Sequence, residues 1–364
     1  MLEKSVISSS SDRCLFNLVQ EIHAQCRNTK VDLYLIRPAD LIRMEHLGLP
    51  SGMSSLEVMA DSSFCKEIVH PFFRDVLRSA TRAEYPIAAL ATHFPSIADS
   101  GSEVVGTSSP KSLAMKAIEN SIHLACDLVE DGLMKTGIVE IVCGNIVQRA
   151  KTVFGFEPSF GGLPEGASVA YSFERKPKLA ELLRSLKAIC AGIDRQESWA
   201  IALELEPGEL FTLNDEDALK DLCGMLSEGA VGPDPSDCIK DLQGRVGLNV
   251  DIAHMKIAKV APSFLESVSD LVVHAHICDT PGQHTRDQPV GEWNPVERIE
   301  SLDYEFLEVL RKIQAEKGSR LGLPYSNTVA LELEGCNRIR WILESLSAMD
   351  FQFRGIASLG AEQA

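Results

Sequence analysis

A chain of 364 residues that is 45% hydrophobic, with a mean hydropathy of +0.01, can bury a large core as one large domain or two ordinary ones, which excludes a disordered protein. Its formal charge of -17 repels polyanions, because nucleic-acid binding draws most of its affinity from Lys and Arg meeting phosphates. No apolar run is long enough to cross a bilayer, and "MLEKSVISSSSDRCLF" lacks the charged start and apolar core of a secretory signal, so a cytosolic protein with no membrane and no nucleic-acid partner is expected. The ten cysteines are scattered without a C-x-x-C pair, which fits reduced thiols. Cys143 and Cys278, at expected strand ends, read as small buried hydrophobes.

In chain order, β-type runs are predicted over 5–9, 31–37, 86–94, 137–144, 199–206, 245–251, 271–278 and 328–335. Between them lie amphipathic stretches with apolar residues at i, i+3, i+4 spacing, over 12–26, 64–83, 112–133, 178–193, 216–229 and 302–318. Strand followed by helix, eight times over, predicts an α/β fold of the (β/α)8 TIM-barrel type, a single domain over 1–364. An open doubly wound sheet is the competing architecture. It would usually advertise a nucleotide loop, and neither G-x-G-x-x-G after the first strand nor G-x-x-x-x-G-K-[ST] occurs. The length beyond a minimal barrel collects in three expected loops, after the second strand (38–62), the fourth (145–177) and the seventh (280–301). All three follow carboxyl ends of strands, the active-site face of such a barrel, and the loop after the fourth strand is a candidate lid or else a surface insertion.

The polar residues of the last four strands fall into a pattern. "ALELEP" places Glu204 and Glu206 on one face, with Glu206 nearer the exit. "NVDIAHM" has Asp251 at the exit and His254 just beyond, "LVVHAHICDT" carries His274 and His276 on one face and then Asp279, and "ALELEG" offers Glu332 and Glu334. Taken singly, each has an ordinary explanation: a solvated glutamate, a core histidine bonded to backbone, an aspartate capping the turn before Pro281. Together, four successive strands deliver acid, acid, imidazole, acid to one rim. Inward carboxylates are costly unless something positive neutralises them, and a divalent cation does so. Glu204, Glu332 and His274 lie deeper and are expected to support the rim through hydrogen bonds.

The ordered set "ALELEP", "VDIAH", "HAHICDT...HTRDQPVGEW" and "ALELEG", with "VDLYL" and "ATHFP" earlier, resembles the xylose-isomerase-like TIM-barrel superfamily of sugar isomerases and epimerases, inosose and dehydroshikimate dehydratases, and endonuclease IV. The resemblance covers nearly the whole chain in strand order. It implies Glu206, Asp251, His276 and Glu334 as metal ligands, with His93, His254 and Asp279 at the substrate. In "HTRDQPVGEW", Glu292 and Trp293 stand where that family commonly has a second glycine.

Three carboxylates and one imidazole make a hard, oxygen-rich site for one divalent ion, Mn²⁺ first, with Mg²⁺, Co²⁺ or Zn²⁺ as alternatives. Such an ion polarises the carbonyl of a sugar or polyol substrate and stabilises the enediolate formed when the adjacent C–H is deprotonated. Glu206 and Glu334, from strands facing each other across the barrel mouth, are the candidates for proton removal and return. An isomerase or epimerase is the leading expectation, a dehydratase sharing the same first step is the alternative, and an endonuclease IV-like hydrolase is disfavoured by the charge of -17. The expected partner is a small molecule, and a homo-oligomer is compatible with the sequence.

Overall fold

The computed structural model describes residues 31–36, 55–59, 87–92, 113–142, 175–206, 212–234, 237–277, 304–316, 323–324, 326 and 329–331. Its strands are β1 (Val31–Ile36), β2 (Ser55–Met59), β3 (Ile87–Thr92), β4 (Met134–Val142), β5 (Trp199–Glu204), β6 (Val246–Asp251), β7 (Val272–Ile277) and β8 (Val329–Leu331). All neighbours are parallel and paired in chain order, and β8 returns to β1 through Val31↔Val329, so the sheet closes into a barrel. Six helices fall among the described residues: α1 (Leu113–Glu130), α2 (Arg175–Gly192), α3 (Glu216–Glu228), α4 (Ile252–Ile257), α5 (Pro262–Ser267) and α6 (Tyr304–Glu316). Parallel neighbours need crossovers, and amphipathic helices supply them while covering the outer face of the strands.

Two sequence expectations need correction. The stretch 38–62, expected as a loop after the second strand, contains β2, which pairs with β1 on one side and β3 on the other. "SLEVM" is only five residues long, too short for its alternation to stand out locally, and its pairing with distant strands decides its conformation. The run 5–9, expected as the first strand, lies outside the described residues, and the ring closes without it. The strand expected second is therefore β1. The run expected as a loop up to 177 gives way to α2 at Arg175; the rest of that loop, the 280–301 loop, and the expected helices over 12–26 and 64–83 lie outside the described residues.

Sequence periodicity explains the helices. In α3, Ala218, Leu219, Leu222, Cys223 and Leu226 recur on one face and are buried. Asp215 caps its start by accepting the Ala218 N–H at 2.8 Å, and Gly229, in the left-handed region at φ 67°, closes its end with an N–H to the Met225 carbonyl. In α6, Phe306, Leu307, Leu310 and Ile313 form the buried stripe. Strands β4, β5 and β6 are buried along nearly their whole length, as expected of strands with a helical layer outside and a packed lumen inside. Gly247 in β6 has a packing reason, since a Cβ there would run into the Leu271 carbonyl oxygen and the Val273 side chain. No helix among the described residues is long and apolar enough to cross a membrane.

At the amino-terminal end of the barrel, charged groups tie elements together. Arg245 donates to the carbonyls of Trp199, at 3.2 Å, and Glu197, while its guanidinium lies 4.3 Å from the Trp199 ring. Arg195 pairs with Asp127 and lies 3.8 Å from both Glu130 and Glu197. Behind this layer, burial pushes the thiols of Cys126, Cys190 and Cys223 up to about 12. Because the thiolate is the nucleophile, alkylation by iodoacetamide at pH 8 should run much slower at these three than at a free cysteine. Mass-spectrometric mapping should find the buried Cys126 and Cys223 labelled only after denaturation; prompt labelling of either in the native protein would contradict the burial.

Candidate metal and substrate site

The carboxyl ends of β4 to β7 converge on a cluster of buried ionisable side chains. Glu140, Glu204, Glu206 and Asp251 are each 3% exposed or less, and His254, His274 and His276 are buried beside them. Ladder registry aligns the donors: Glu204 sits opposite Asn249, Asn249 opposite His274, and Asp251 opposite His276. The two histidines of β7 do share a face, with their rings in a T-shaped contact at 5.1 Å.

Glu204 is the hub. Its Oε1 lies 3.4 Å from His254 Nδ1 and 3.5 Å from His276 Nδ1. Burial favours the protonated acid, yet the bonds and charges of His254 and His276 outweigh it and hold the Glu204 carboxyl well below the usual carboxylate range. His254 shows the reciprocal effect. Burial disfavours its charged form, but Asp251, Glu206 and Glu204 surround it with negative charge and raise it well above the usual imidazole range. His254 Nδ1 also lies 3.0 Å from the Leu205 carbonyl, and its Nε2 is 3.8 Å from Glu206 Oε1.

Asp251 has two distinct oxygens. Oδ1 accepts the His254 N–H at 2.8 Å and caps α4, whereas Oδ2 is buried with no hydrogen-bond partner among the described residues. His276 is surrounded: Asn249 Nδ2 lies 3.1 Å and 3.3 Å from its two ring nitrogens, and Glu140 Oε2 lies 3.3 Å from its Nε2. His274 Nδ1 lies 2.8 Å from Ser326 Oγ.

Among the described residues, two groups of three could each offer a cation one atom per residue, with those atoms within 4.8 Å of one another: Glu140, Glu204 and His276, and Glu204, Glu206 and His254. Of the residues singled out in the sequence, the structure thus brings Glu206 and His254 together and sets His276 against Glu204. Asp251 is His276's ladder partner but belongs to neither group. Glu334, His93, Asp279 and Glu332 lie outside the described residues. Glu140 was not foreseen. The signal was a lone carboxylate inside the apolar run "GIVEIVCG", in a strand buried on both sides.

The donor set fits a divalent ion. Four buried carboxylates lie beside three imidazoles, an oxygen-rich set in which Asp251 Oδ2 has no hydrogen-bond partner among the described residues. A cation held there would offset the cost of burying such carboxylates.

No protein-family model matches the chain, and no curated protein matches it. Among solved structures, a candidate xylose isomerase from Rhodospirillum rubrum is similar over 89% of this chain and 99% of its own, at 13% identity and a TM-score of 0.52. A xylose isomerase domain protein from Planctomyces limnophilus is similar over 91% and 98%, at 14% identity and a TM-score of 0.48. A D-psicose 3-epimerase, solved in the presence of D-fructose, is similar over 89% and 98%, at 12% identity and a TM-score of 0.47. The first of these shows the fold. The chain has the fold of the xylose-isomerase-like TIM barrels.

Proposed function

We propose that this chain is a divalent-metal-dependent sugar or polyol isomerase or epimerase, with residues 1–364 forming a single (β/α)8 domain, and that it acts in the cytosol on a small molecule. The observation that carries the reading is the gathering of buried carboxylates and imidazoles at the carboxyl ends of β4 to β7, in which Asp251 Oδ2 has no hydrogen-bond partner among the described residues. The order of the motifs at the strand ends and the xylose-isomerase-like fold support it.

Glu206, Asp251, His276 and Glu334 are assigned as the ligands, with Mn²⁺ the first choice for so oxygen-rich a set. The bound ion supplies positive charge that orients vicinal substrate oxygens and favours negative charge on the carbonyl oxygen. Glu206 and Glu334 remove and return the proton on the carbon next to that carbonyl, giving an enediolate between the two transfers. His254, held by Glu204 and the Leu205 carbonyl, presents Nε2 towards Glu206 and steadies a substrate hydroxyl. His93 and Asp279 are assigned to substrate binding on the motif order alone.

The test combines elemental analysis of gently purified protein with NMR in D₂O of ketohexoses and keto-inositols, with and without added Mn²⁺. Near-stoichiometric metal, and metal-dependent deuterium entry at the carbon beside the carbonyl, are the expected results. Exchange accompanied by loss of water from the substrate would reassign the protein to the dehydratases. Absence of both metal and exchange would overturn the proposal.

A further inference from the structure

We propose that Ser326 is a positioning residue for His276: its hydroxyl holds the His274 ring, and that ring sets the plane in which His276 meets a cation. The inference rests on the metal reading above and deepens it.

The case begins at β7. His274 is fully buried there, so bulk water cannot serve its ring nitrogens, and Ser326, ahead of β8 in the chain, brings its Oγ to 2.8 Å from His274 Nδ1. The serine is itself pinned to the same strand, since its N–H donates to the Val273 carbonyl at 2.9 Å. Backbone and side chain of Ser326 thus grip two successive residues of β7, Val273 and His274. That fixes the height of the hydroxyl and leaves the His274 ring a narrow choice of angles.

The second step runs from ring to ring. His274 and His276 lie on one face of β7, with their planes at 87° and their centroids 5.1 Å apart, the edge-to-face contact that aromatic rings favour. Glu140 and Glu204 meet His276 at its two ring nitrogens, at 3.3 Å and 3.5 Å. Contacts at both nitrogens fix the line joining them but leave the ring free to tilt about that line. The tilt is set by what meets the ring elsewhere: Asn249 Nδ2, nearly equidistant from both nitrogens at 3.1 Å and 3.3 Å, and the His274 ring. A histidine ligand aims its lone pair within its own ring plane, so the tilt decides whether that lone pair meets the ion. Neither step depends on which nitrogen of His276 carries a proton.

The test uses the full chain and the variants Ser326→Ala, Ser326→Thr, His274→Phe and the double variant of Ser326→Ala with His274→Phe. Ala removes the hydroxyl and Thr keeps it; Phe keeps an aromatic ring in place of His274 but offers Ser326 nothing to bond. Mn²⁺ affinity comes from chelator competition, the visible spectrum of bound Co²⁺ reports ligand geometry, and crystal structures of the metal-free proteins give the plane of the His276 ring. Ser326→Ala should tilt that ring, alter the Co²⁺ spectrum and weaken Mn²⁺ binding by roughly 10-fold, the lower end of what losing a group behind a ligand costs, while Ser326→Thr recovers most of each. Adding Ser326→Ala to His274→Phe should cost nothing more, because the path is already cut at that ring. Wild-type affinity with an unchanged Co²⁺ spectrum in Ser326→Ala overturns the proposal, and so does an undiminished further loss in the double variant. Should the wild type bind neither ion, the metal reading fails, and the His276 ring in metal-free Ser326→Ala alone decides: a tilted ring supports the role of Ser326 and an unmoved one overturns it. Thermal melts identify any variant that has not folded; if Ser326→Ala is among them, His274→Phe carries the decision, and wild-type affinity with an unchanged spectrum there overturns the proposal.

Discussion

Replacing Asp251 with Asn is expected to leave the protein folded and strip it of metal. The two oxygens of this carboxylate do different work. Oδ1 accepts the His254 N–H and starts α4, while Oδ2 is buried without a hydrogen bond to any of the described residues. Asn caps a helix as well as Asp does, so Asp251→Asn keeps the first role; Ala removes it, at a cost of about 1 kcal/mol. Neither replacement supplies a second anionic oxygen. Metal affinity should fall beyond the roughly 10²-fold upper range typical of losing a residue that only supports a ligand. His276→Ala should do the same. Dialysis against trace Mn²⁺ followed by elemental analysis gives the occupancy, and a thermal melt separates loss of ligand from loss of fold. The metal-free Asp251→Asn protein should melt close to the metal-free wild type, because removing one negative charge from a crowded buried cluster offsets the lost ionic contact with His254. Stoichiometric metal in both Asp251→Asn and His276→Ala would sink the ligand assignment.

The parts of the fold that were legible share a physical origin. Strands β3 to β7 are buried on both faces, so their sequences are near-continuous apolar runs, and those runs coincide with the observed strands to within a few residues. Helices α1, α2, α3 and α6 carry their own i, i+3, i+4 stripes and, in α3, their own caps. β2 was not legible, because five residues with one alternation carry little local signal. Its conformation is set by Asp32↔Ser55 on one side and Leu56↔Ile87 on the other. Missing it also displaced the count, so that a run near the amino terminus stood in for the first strand.

The site divides in the same way. That His274 and His276 share a face follows from alternation along one strand, and the structure has their rings in contact. That Asp251 begins a helix was latent in "VDIAH", an aspartate three residues before the N–H it accepts. Which of Glu204 and Glu206 addresses which histidine could not be read from alternation, which puts both on one face; it depends on where β6 and β7 lie across the lumen. Glu140 was further out of reach. Its place beside His276, far along the chain in β7, comes from the closure of the barrel. A lone glutamate in an apolar strand is a signal that something must neutralise or bond it, but the partner is named by the closed barrel and not by the chain.

Glutamine at Glu206 or at Glu334 should separate metal holding from proton transfer. Gln keeps the size and one oxygen donor of Glu but cannot take up a proton. Metal affinity should therefore weaken only partly, whereas turnover should fall by at least the roughly 10²-fold typical of losing general acid–base catalysis. For Glu206 the surroundings sharpen this expectation: the residue is buried just past the end of β5, its backbone N–H is bonded to the Leu213 carbonyl at 2.9 Å, and Oε1 faces His254 Nε2. The amide would sit in a backbone fixed by that bond, so the loss is chemical and not positional. The two variants should also differ from each other. In D₂O, the variant lacking the base should stop exchanging the substrate proton beside the carbonyl, because the first transfer cannot occur. The variant lacking the second group should still form the enediolate and return deuterium from the first face, exchanging without completing epimerisation. Proton NMR of recovered substrate measures exchange, and chromatography of the sugars measures epimerisation on the same samples. Both variants exchanging and turning over like the wild type would make the two glutamates structural, and the proton-transfer role would pass to Glu204 or Glu332, with Glu204→Gln the next variant to lose exchange.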